Sequence, residues 1–202
     1  MDQQALALTK ISYGLYVLST RVGEKDNGCI VNTVVQAASS PCQITVAVSK
    51  QNYTCEMIQA SGVFDVCPLA EDAPFDTFRH FGFQSGREVD KFASIPWQRS
   101  ANGVAYPVEH TVAVFSCKVT SSVDLGSHML FIATLEDAQV LSEAQPVTYA
   151  YYHRSIKPAP QPTAAKGYRC TICGYVYEGD ELPSDFVCPI CKHGAADFEK
   201  IV

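Results

Sequence analysis

The sequence is poor in charge, and positive charge is the scarcer kind. Charged side chains make up 18% of the 202 residues, and 15 lysines and arginines stand against 21 acidic side chains. Proteins that bind phosphate backbones usually present an excess of basic side chains, so the net charge of −6 argues against this class of partner. We therefore expect no nucleic-acid partner.

Long apolar runs are also lacking. No stretch approaches the roughly 20 apolar residues that a membrane-spanning helix needs. The chain begins with Met1 and Asp2, without the basic segment and apolar run of a signal peptide. Gly-x-Gly-x-x-Gly does not occur, so a Rossmann nucleotide site is unsupported. We expect a cytoplasmic protein with no membrane partner.

Cysteine, in contrast, is abundant. The nine cysteines fall into a scattered set and a set of closely spaced pairs. An odd, scattered set in mostly apolar segments predicts the reduced thiols of a cytosolic protein, with no disulfide framework. This set consists of Cys29, Cys42, Cys55, Cys67 and Cys117.

The remaining cysteines form two Cys-x-x-Cys pairs near the C-terminal end: Cys170, Cys173, Cys188 and Cys191. Two such pairs can place four thiolates around one soft metal ion. A segment this short buries too little apolar surface to fold unaided, so the metal also holds it together. The ion is either zinc in a structural ribbon or a single iron that carries one electron.

The residues between the two pairs favour iron. An aromatic shell excludes water and lowers the local dielectric, which an electron carrier uses to tune its potential. The shell consists of Tyr168, Tyr175, Tyr177, Phe186 and Phe198. Gly174 allows backbone N–H groups to turn towards the sulfurs.

Tyr-x-Cys-x-x-Cys-Gly-Tyr-x-Tyr, followed by Pro-x-Asp-Phe-x-Cys-Pro-x-Cys and a closing Phe, resembles a rubredoxin. The resemblance implies that the four cysteines are iron ligands. Two features depart from the family, a shorter loop between the pairs and Lys192 in place of a glycine. The segment is acidic, which favours a partner with a basic docking face. Because such iron moves single electrons and nicotinamides deliver two, a flavin is expected upstream.

Upstream, runs rich in β-branched and aromatic residues predict more strands than helices. Strands are predicted for Cys29 to Ala37, Gln43 to Ser49, Val63 to Leu69, Thr111 to Ser121 and His128 to Gln139. Helices are predicted for Gln3 to Lys10, for a segment ending at Ala60 before Gly62, and for Phe75 to Phe81. A turn is predicted at Glu24 to Gly28 and a loop at Ile95 to Asn102. This pattern predicts a mainly β fold, a small antiparallel barrel.

Three groups of polar residues are candidates for a ligand site. Alternation places Asn32, Val34 and Gln36 on one strand face, which suits either solvent or a flat heteroaromatic ligand. A second group lies where a predicted strand leads into a predicted helix: Ser49, Lys50, Asn52 and Thr54. A single polar residue would be enough to cap the helix, so the presence of four favours a bound phosphate. Taken alone, Ser85, Arg87 and Lys91 read as a solvated loop, and His128 as surface or packing.

In their shared order these segments resemble the flavin-reductase-like, FMN-binding split-barrel proteins, the flavoredoxin branch in particular. The resemblance implies that Asn32, Thr33, Val34 and Gln36 line the isoalloxazine. It implies that Ser49, Lys50, Asn52 and Thr54 hold the ribityl phosphate, with Ser85, Arg87 and Lys91 nearby and His128 at the flavin. Ala38-Ser39-Ser40 stands where flavoredoxins often carry an aromatic residue. A homodimer with FMN near the interface is also implied.

The combination resembles the high-molecular-weight rubredoxins. We expect an FMN-binding split barrel in residues 1–153, a proline-containing linker in 154–167 and a rubredoxin-like iron domain in 168–202. The resemblance implies an oxidoreductase that passes electrons from NADH or NADPH through FMN to iron, and on to an acceptor such as a flavodiiron protein that reduces oxygen or nitric oxide. The alternatives are a flavin reductase that releases reduced FMN and carries a zinc ribbon, and a non-enzymatic flavin- or metal-binding sensor.

Overall fold

One seven-stranded antiparallel sheet forms most of the upstream part of the chain. The computed structural model describes residues 3–158, 167–172, 174–189 and 193–201. The strands of the sheet are β1 Tyr16–Val22, β2 Lys25–Val31, β3 Val35–Ser39, β4 Cys42–Ser49, β5 Val63–Pro68, β8 Ala113–Asp124 and β9 His128–Val140. A separate hairpin pairs β6 Trp97–Arg99 with β7 Ala105–Pro107.

The sheet closes around a shared core. Its strand order is β2-β1-β5-β8-β9-β4-β3, so β2 and β3 form opposite edges although only three residues separate them. Val31 of β2 and Val46 and Val48 of β4 nevertheless belong to one buried cluster. The two edges therefore curl towards each other around a common interior, which is the architecture expected of a split barrel.

Two helices of eight or more residues pack on this sheet. Helix α2 spans Tyr53–Ser61 and ends at Gly62, whose φ of 72° is the left-handed conformation that favours glycine. It buries Cys55 and Ile58 in the barrel interior. Helix α3 spans Phe75–Gly82 and buries Phe78 and Phe81 in a second cluster outside the barrel. Shorter helices are α1 Gln3–Leu8 and α4 Tyr149–Tyr151, the latter continued by a π-helical turn at Tyr152–Ile156.

The C-terminal part has its own three-stranded sheet. Strand β10 Gly167–Cys170 lies between β11 Val176–Tyr177 and β12 Phe198–Ile201, with a 3₁₀ turn at Ala195–Asp197. Both pairings are antiparallel. In the described part of the chain, no helix is both long and apolar enough to cross a membrane.

The predicted mainly β fold is confirmed, and three local predictions were wrong. The predicted strand Cys29 to Ala37 is two strands, because the chain leaves β1 after Val31 and pairs with β4 from Val35. The reversal lies at Gly23, with φ of 59°, and the predicted turn at Glu24 to Gly28 is mostly strand β2. The segment 95–102 contains strand β6.

Candidate functional site

Asn32, Thr33 and Val34 lie in the gap between β2 and β3. Thr33 ties this gap to β4, because its hydroxyl donates to the Ala47 carbonyl at 2.6 Å and accepts from the Ala47 N–H at 3.2 Å. Val34 packs against the barrel core. The gap is therefore held in place while all three side chains stay partly accessible to a ligand.

Gln36 lies apart from that gap, on the exposed edge strand β3. Its amide Nε2 is 3.6 Å from the Cys42 sulfur across the β3–β4 hairpin. The expected single face that joins Asn32, Val34 and Gln36 is not present, because the strand is interrupted between them. A ligand would meet Gln36 at the rim of the site and not along one strand face.

Ser49 and His128 are cross-strand partners at the end of the β4–β9 pair. The imidazole Nδ1 of His128 lies 2.9 Å from the Ser127 hydroxyl. The Lys50 N–H donates to the Ser127 carbonyl at 3.0 Å. Its ammonium lies 2.6 Å from a carboxylate oxygen of Asp124, and this hydrogen bond lowers the pKa of the Asp124 carboxyl. Ser49, Lys50 and His128 thus form one polar group at a strand end.

The first turn of α2 combines a cap with a buried hydroxyl. The Asn52 carbonyl oxygen Oδ1 accepts from the Thr54 N–H at 3.1 Å, so Asn52 caps the helix. The Thr54 side chain is fully buried, and its hydroxyl accepts from Asn27 Nδ2 at 2.9 Å. The Asn52 N–H donates to the Ser49 carbonyl at 3.0 Å, which connects this turn to the preceding polar group.

The loop after α3 is pressed against the same Asn27. The Ser85 hydroxyl accepts from the Arg87 N–H at 3.3 Å, which shapes the loop. A Cβ on Gly86 would lie 2.0 Å from Asn27 Oδ1, so only glycine allows this approach. Asn27 therefore joins β2, α2 and the loop, and it brings Ser85 close to Thr54.

Two cations flank the ring of Tyr53. The Arg87 guanidinium lies 4.4 Å from the ring centroid and the Lys25 ammonium 4.8 Å from it. Arg87 also forms an ion pair with Glu56 of α2. Among the residues that the structure describes, Lys25 has no carboxylate partner. One uncompensated positive charge is therefore available at the start of α2.

Lys91 does not reach the surface with the other candidates. Its side chain is 2% exposed, and its ammonium donates to the carbonyls of Gly28 and Phe81, each at 2.8 Å. Burial lowers the pKa of Lys91 to about 8. In this structure Lys91 fastens β2 to the end of α3 and supports the loop from within.

Three contributors escaped the prediction from sequence. Asn27 and Lys25 lie in the segment predicted as a turn, and no sequence pattern pointed to Tyr53. The first half of β2 has no alternating pattern that would have indicated a strand, because Lys25, Asp26 and Asn27 are all polar and precede Gly28.

The C-terminal sheet brings two of the four predicted metal ligands into buried positions. Cys170 is 1% exposed and Cys188 is 0% exposed. Cys173 and Cys191 lie outside the described residues. The Gly174 N–H donates to the Cys170 carbonyl at 2.9 Å, in a turn with φ of 82°.

Four of the five aromatic residues predicted to form the shell pack together in this segment. Phe186 lies 4.7 Å from Tyr177, 6.4 Å from Tyr175 and 5.4 Å from Phe198, measured between ring centroids. Buried thiols and a cluster of aromatic rings in one short segment fit a soft metal ion that is kept from water.

Comparison with known protein families gives two matches along the chain. Residues 8–160 match the flavin reductase like domain. Residues 168–199 match the rubrerythrin, rubredoxin-like domain.

The high molecular weight rubredoxin of Moorella thermoacetica is 40% identical over 225 residues, covering 96% of this chain and 98% of that protein. The ferric-chelate reductase (NAD(P)H) of Archaeoglobus fulgidus is 38% identical over 162 residues, covering 80% of this chain and 95% of that protein. Among solved structures, the NADH:FAD oxidoreductase SgcE6 of Streptomyces globisporus aligns with a TM-score of 0.64 at 20% identity, over 72% of this chain and 86% of that one.

Proposed function

The chain belongs to the flavin reductase-like family and carries a rubredoxin-like domain, and we propose that it passes electrons from a reduced nicotinamide through FMN to a four-cysteine iron centre and on to an external acceptor. It is an oxidoreductase that works by flavin-based electron transfer. The observation that carries the finer proposal is the presence of both domains in one chain, since iron accepts electrons singly and a flavin can divide a hydride pair.

We assign the flavin ring to the gap at Asn32, Thr33 and Val34, with Gln36 at its rim. When bound, FMN takes up hydride and gives out single electrons. Thr33 holds the gap against β4 through two hydrogen bonds, so the residues beneath the ring are preorganised.

We assign the phosphate to the first turn of α2 and the loop that faces it. Helix N-termini attract anions because their first N–H groups lack helical partners. Arg87 and Lys25 add positive charge there. The residues proposed to bind the phosphate are Ser49, Lys50, Asn52, Thr54, Ser85 and Arg87. Lys91 supports this set from the protein interior.

His128 is the proposed catalytic residue. Its Nδ1 contacts Ser127, and its Nε2 has no hydrogen-bond partner among the described residues. An N–H at Nε2 can donate to the polar edge of a flavin and stabilise negative charge there. Its pairing opposite Ser49 supports a role beside the residues proposed to hold the phosphate.

For the metal we propose iron held by Cys170, Cys173, Cys188 and Cys191. Tetrathiolate ligation suits either zinc or iron, and the aromatic shell favours a redox metal. We further propose a split-barrel domain in residues 1–153, a linker in 154–167 and the iron domain in 168–202. The first linker residues form a π-helical turn on the barrel.

The proposed donor is NADH or NADPH, and the proposed acceptor is a flavodiiron protein or another electron-accepting protein. The acidic C-terminal segment suits a basic docking face. We propose a cytoplasmic homodimer, and exposed apolar side chains at Leu6, Leu8 and Ile11 offer a surface for a second copy. Sedimentation equilibrium tests the dimer.

An anaerobic absorbance spectrum before and after NADH or NADPH tests the central proposal. We expect flavin and ferric-thiolate bands that both bleach. Flavin bands that bleach with zinc in place of iron would indicate a flavin reductase with a structural ribbon. Chromophores that stay oxidised with both nicotinamides would overturn the nicotinamide step, and catalytic inertness towards every acceptor would leave a sensor.

A further inference from the structure

A cavity of about 510 Å³ lies beside the residues proposed to hold the FMN phosphate; it shares Lys25 and Arg87 with them, and the rest of its lining has no role in the function proposed above. It opens at the loop that carries Gly86 and Arg87 and extends to the β6–β7 hairpin. Its lining includes Lys25, Asp26, Arg87, Glu88, Trp97 and Arg99. The cavity therefore combines cations, carboxylates and one large aromatic ring.

We infer that this cavity is a subsite for an adenosine 5′-phosphate moiety, the half that FAD and the nicotinamide dinucleotides share. The inference rests on the proposed function for its choice between these two sources. The phosphate end belongs at Lys25 and Arg87, the ribose at the acidic rim and the adenine at Trp97.

The two cations at the inner end of the cavity support the phosphate position. Lys25 and Arg87 both approach the Tyr53 ring, at 4.8 and 4.4 Å from its centroid, and both line the cavity. Glu56 compensates Arg87, and Lys25 has no carboxylate partner among the described residues. Phosphate oxygens could accept charge-assisted hydrogen bonds from Lys25 and Arg87.

Trp97 supports the adenine position because its ring is held in place before any ligand arrives. The Arg99 guanidinium lies 4.9 Å from the Trp97 ring centroid. Arg99 is itself fixed by two hydrogen bonds to the Asp26 carboxylate, at 2.8 and 2.9 Å. The side chain of Trp97 remains 42% exposed, so its immobilised ring is accessible for stacking with a base.

Glu24 and Glu88 support the ribose position. Both carboxylates line the cavity and are exposed. In the described part of the chain, neither carboxylate has a hydrogen-bond or ion-pair partner. Carboxylates accept hydrogen bonds from ribose hydroxyls and repel a 2′-phosphate. The subsite is therefore selective for an adenosine without a 2′-phosphate.

The first experiment measures binding of two probes, 5′-AMP and adenosine 2′,5′-bisphosphate, to the flavin-loaded full chain by calorimetry. We expect 5′-AMP to bind and the bisphosphate to bind more weakly. Trp97→Ala should weaken 5′-AMP binding about tenfold, in line with the loss of one base stack. Glu88→Lys should reverse the preference, and Glu143→Lys, an exposed change away from the cavity, should leave it intact.

The second experiment identifies the source of the adenosine phosphate. If FAD supplies it, Trp97→Ala should weaken FAD binding and spare both FMN binding and the KM for NADH. If the nicotinamide supplies it, the same variant should raise the KM for NADH about tenfold and spare both flavins.

Two results would overturn the subsite. One is the absence of 5′-AMP binding at millimolar concentration, and the other is a Trp97→Ala variant that matches the wild type in all these measurements. Failure of the proposed function has a different signature, which is a wild-type chain that oxidises no nicotinamide while its binding of 5′-AMP and FAD can still be measured.

Discussion

Asn27 donates a hydrogen bond through Nδ2 to the Thr54 hydroxyl at 2.9 Å, and both side chains are buried. This bond joins strand β2 to the first turn of α2. Asn27→Ala should lower the free energy of unfolding by about 1–3 kcal/mol, because Thr54 loses a buried partner. It should also weaken FMN binding, since the turn would no longer be held in place.

Urea unfolding with and without FMN measures both effects of Asn27→Ala. Gln139→Ala, at an exposed position on β9, is the control and should change neither. If Asn27→Ala destabilises the protein equally with and without FMN, Asn27 has no part in the flavin site.

Gly86 should be the most restrictive glycine of the candidate site. An added Cβ would lie 2.0 Å from Asn27 Oδ1, so Gly86→Ala must move the loop that carries Ser85 and Arg87. We expect a loss of roughly 1–3 kcal/mol in stability and weaker FMN binding. Fluorescence titration of the apoprotein with FMN measures the affinity.

Gly194→Ala is the matched control for Gly86→Ala. Its added Cβ meets no atom within 4 Å, and its φ of −80° is open to any residue. Equal FMN affinity of the two variants would show that close packing at Gly86 does not shape the flavin site.

Asp65 should make stability depend on pH near neutrality. Burial raises the pKa of its carboxyl from 3.8 to about 7, and among the described residues neither of its oxygens has a hydrogen-bond partner. The folded state thus holds a proton that the unfolded state releases. The stabilisation from this proton is complete below pH 4 and lost as the pH rises through 7, by at most roughly 4 kcal/mol.

Asp65→Asn imitates the protonated carboxyl, so the variant should be more stable than the wild type at pH 8 and closer to it at pH 4. Urea unfolding across that range tests this, with the exposed Asp180→Asn as control. Parallel pH profiles for wild type and Asp65→Asn would show that Asp65 is not responsible.

His128 should act on the reduction of the flavin more than on donor binding. Removing one hydrogen-bond donor from a site of developing negative charge costs on the order of tenfold to a thousandfold in rate. His128→Asn should therefore slow anaerobic flavin bleaching by NADH in stopped flow, with little change in the NADH concentration for half-saturation. His110→Asn, at a surface ion pair with Asp72, is the control. An unchanged bleaching rate would remove His128 from the proposed mechanism.

Cys170→Ser should separate the two redox centres. With one thiolate lost, we expect the ferric-thiolate bands to disappear and electron flow to the external acceptor to stop, because the metal can no longer be held. Flavin bleaching by NADH should persist. Cys42→Ser, on β4 outside the C-terminal domain, should leave both chromophores present. Undiminished electron flow in Cys170→Ser would rule out the relay.

Local chemistry predicted much of the fold. Helix α2 ends at Gly62 as expected from glycine at a helix terminus, and Asn52 caps its start. The long strands β8 and β9 were found within a few residues of their predicted bounds. The break after Val31 was missed because both halves have strand-like sequences, and the change of pairing partner is a tertiary event.

The candidate site was less predictable than the fold. Sequence could mark Arg87 and Lys91 as cations on one loop. It could not foresee that Arg87 stacks on Tyr53 while Lys91 is buried against two carbonyls. The position of a long side chain depends on which segments pack around it. Here Tyr53 is more than ten residues from Arg87 along the chain, and Gly28 is more than ten residues from Lys91.

Asn32, Thr33 and Val34 run from one margin of the seven-stranded sheet to the other, since β2 and β3 are its outermost strands. A cofactor bound to these residues would contact the segment that joins the two edge strands directly, and it would hold the two edges of the sheet together. Occupancy would then govern durability as well as activity. In a cell short of riboflavin, the empty protein would therefore be shorter-lived as well as inactive, and faster hydrogen exchange along β3 would report the loss of stability.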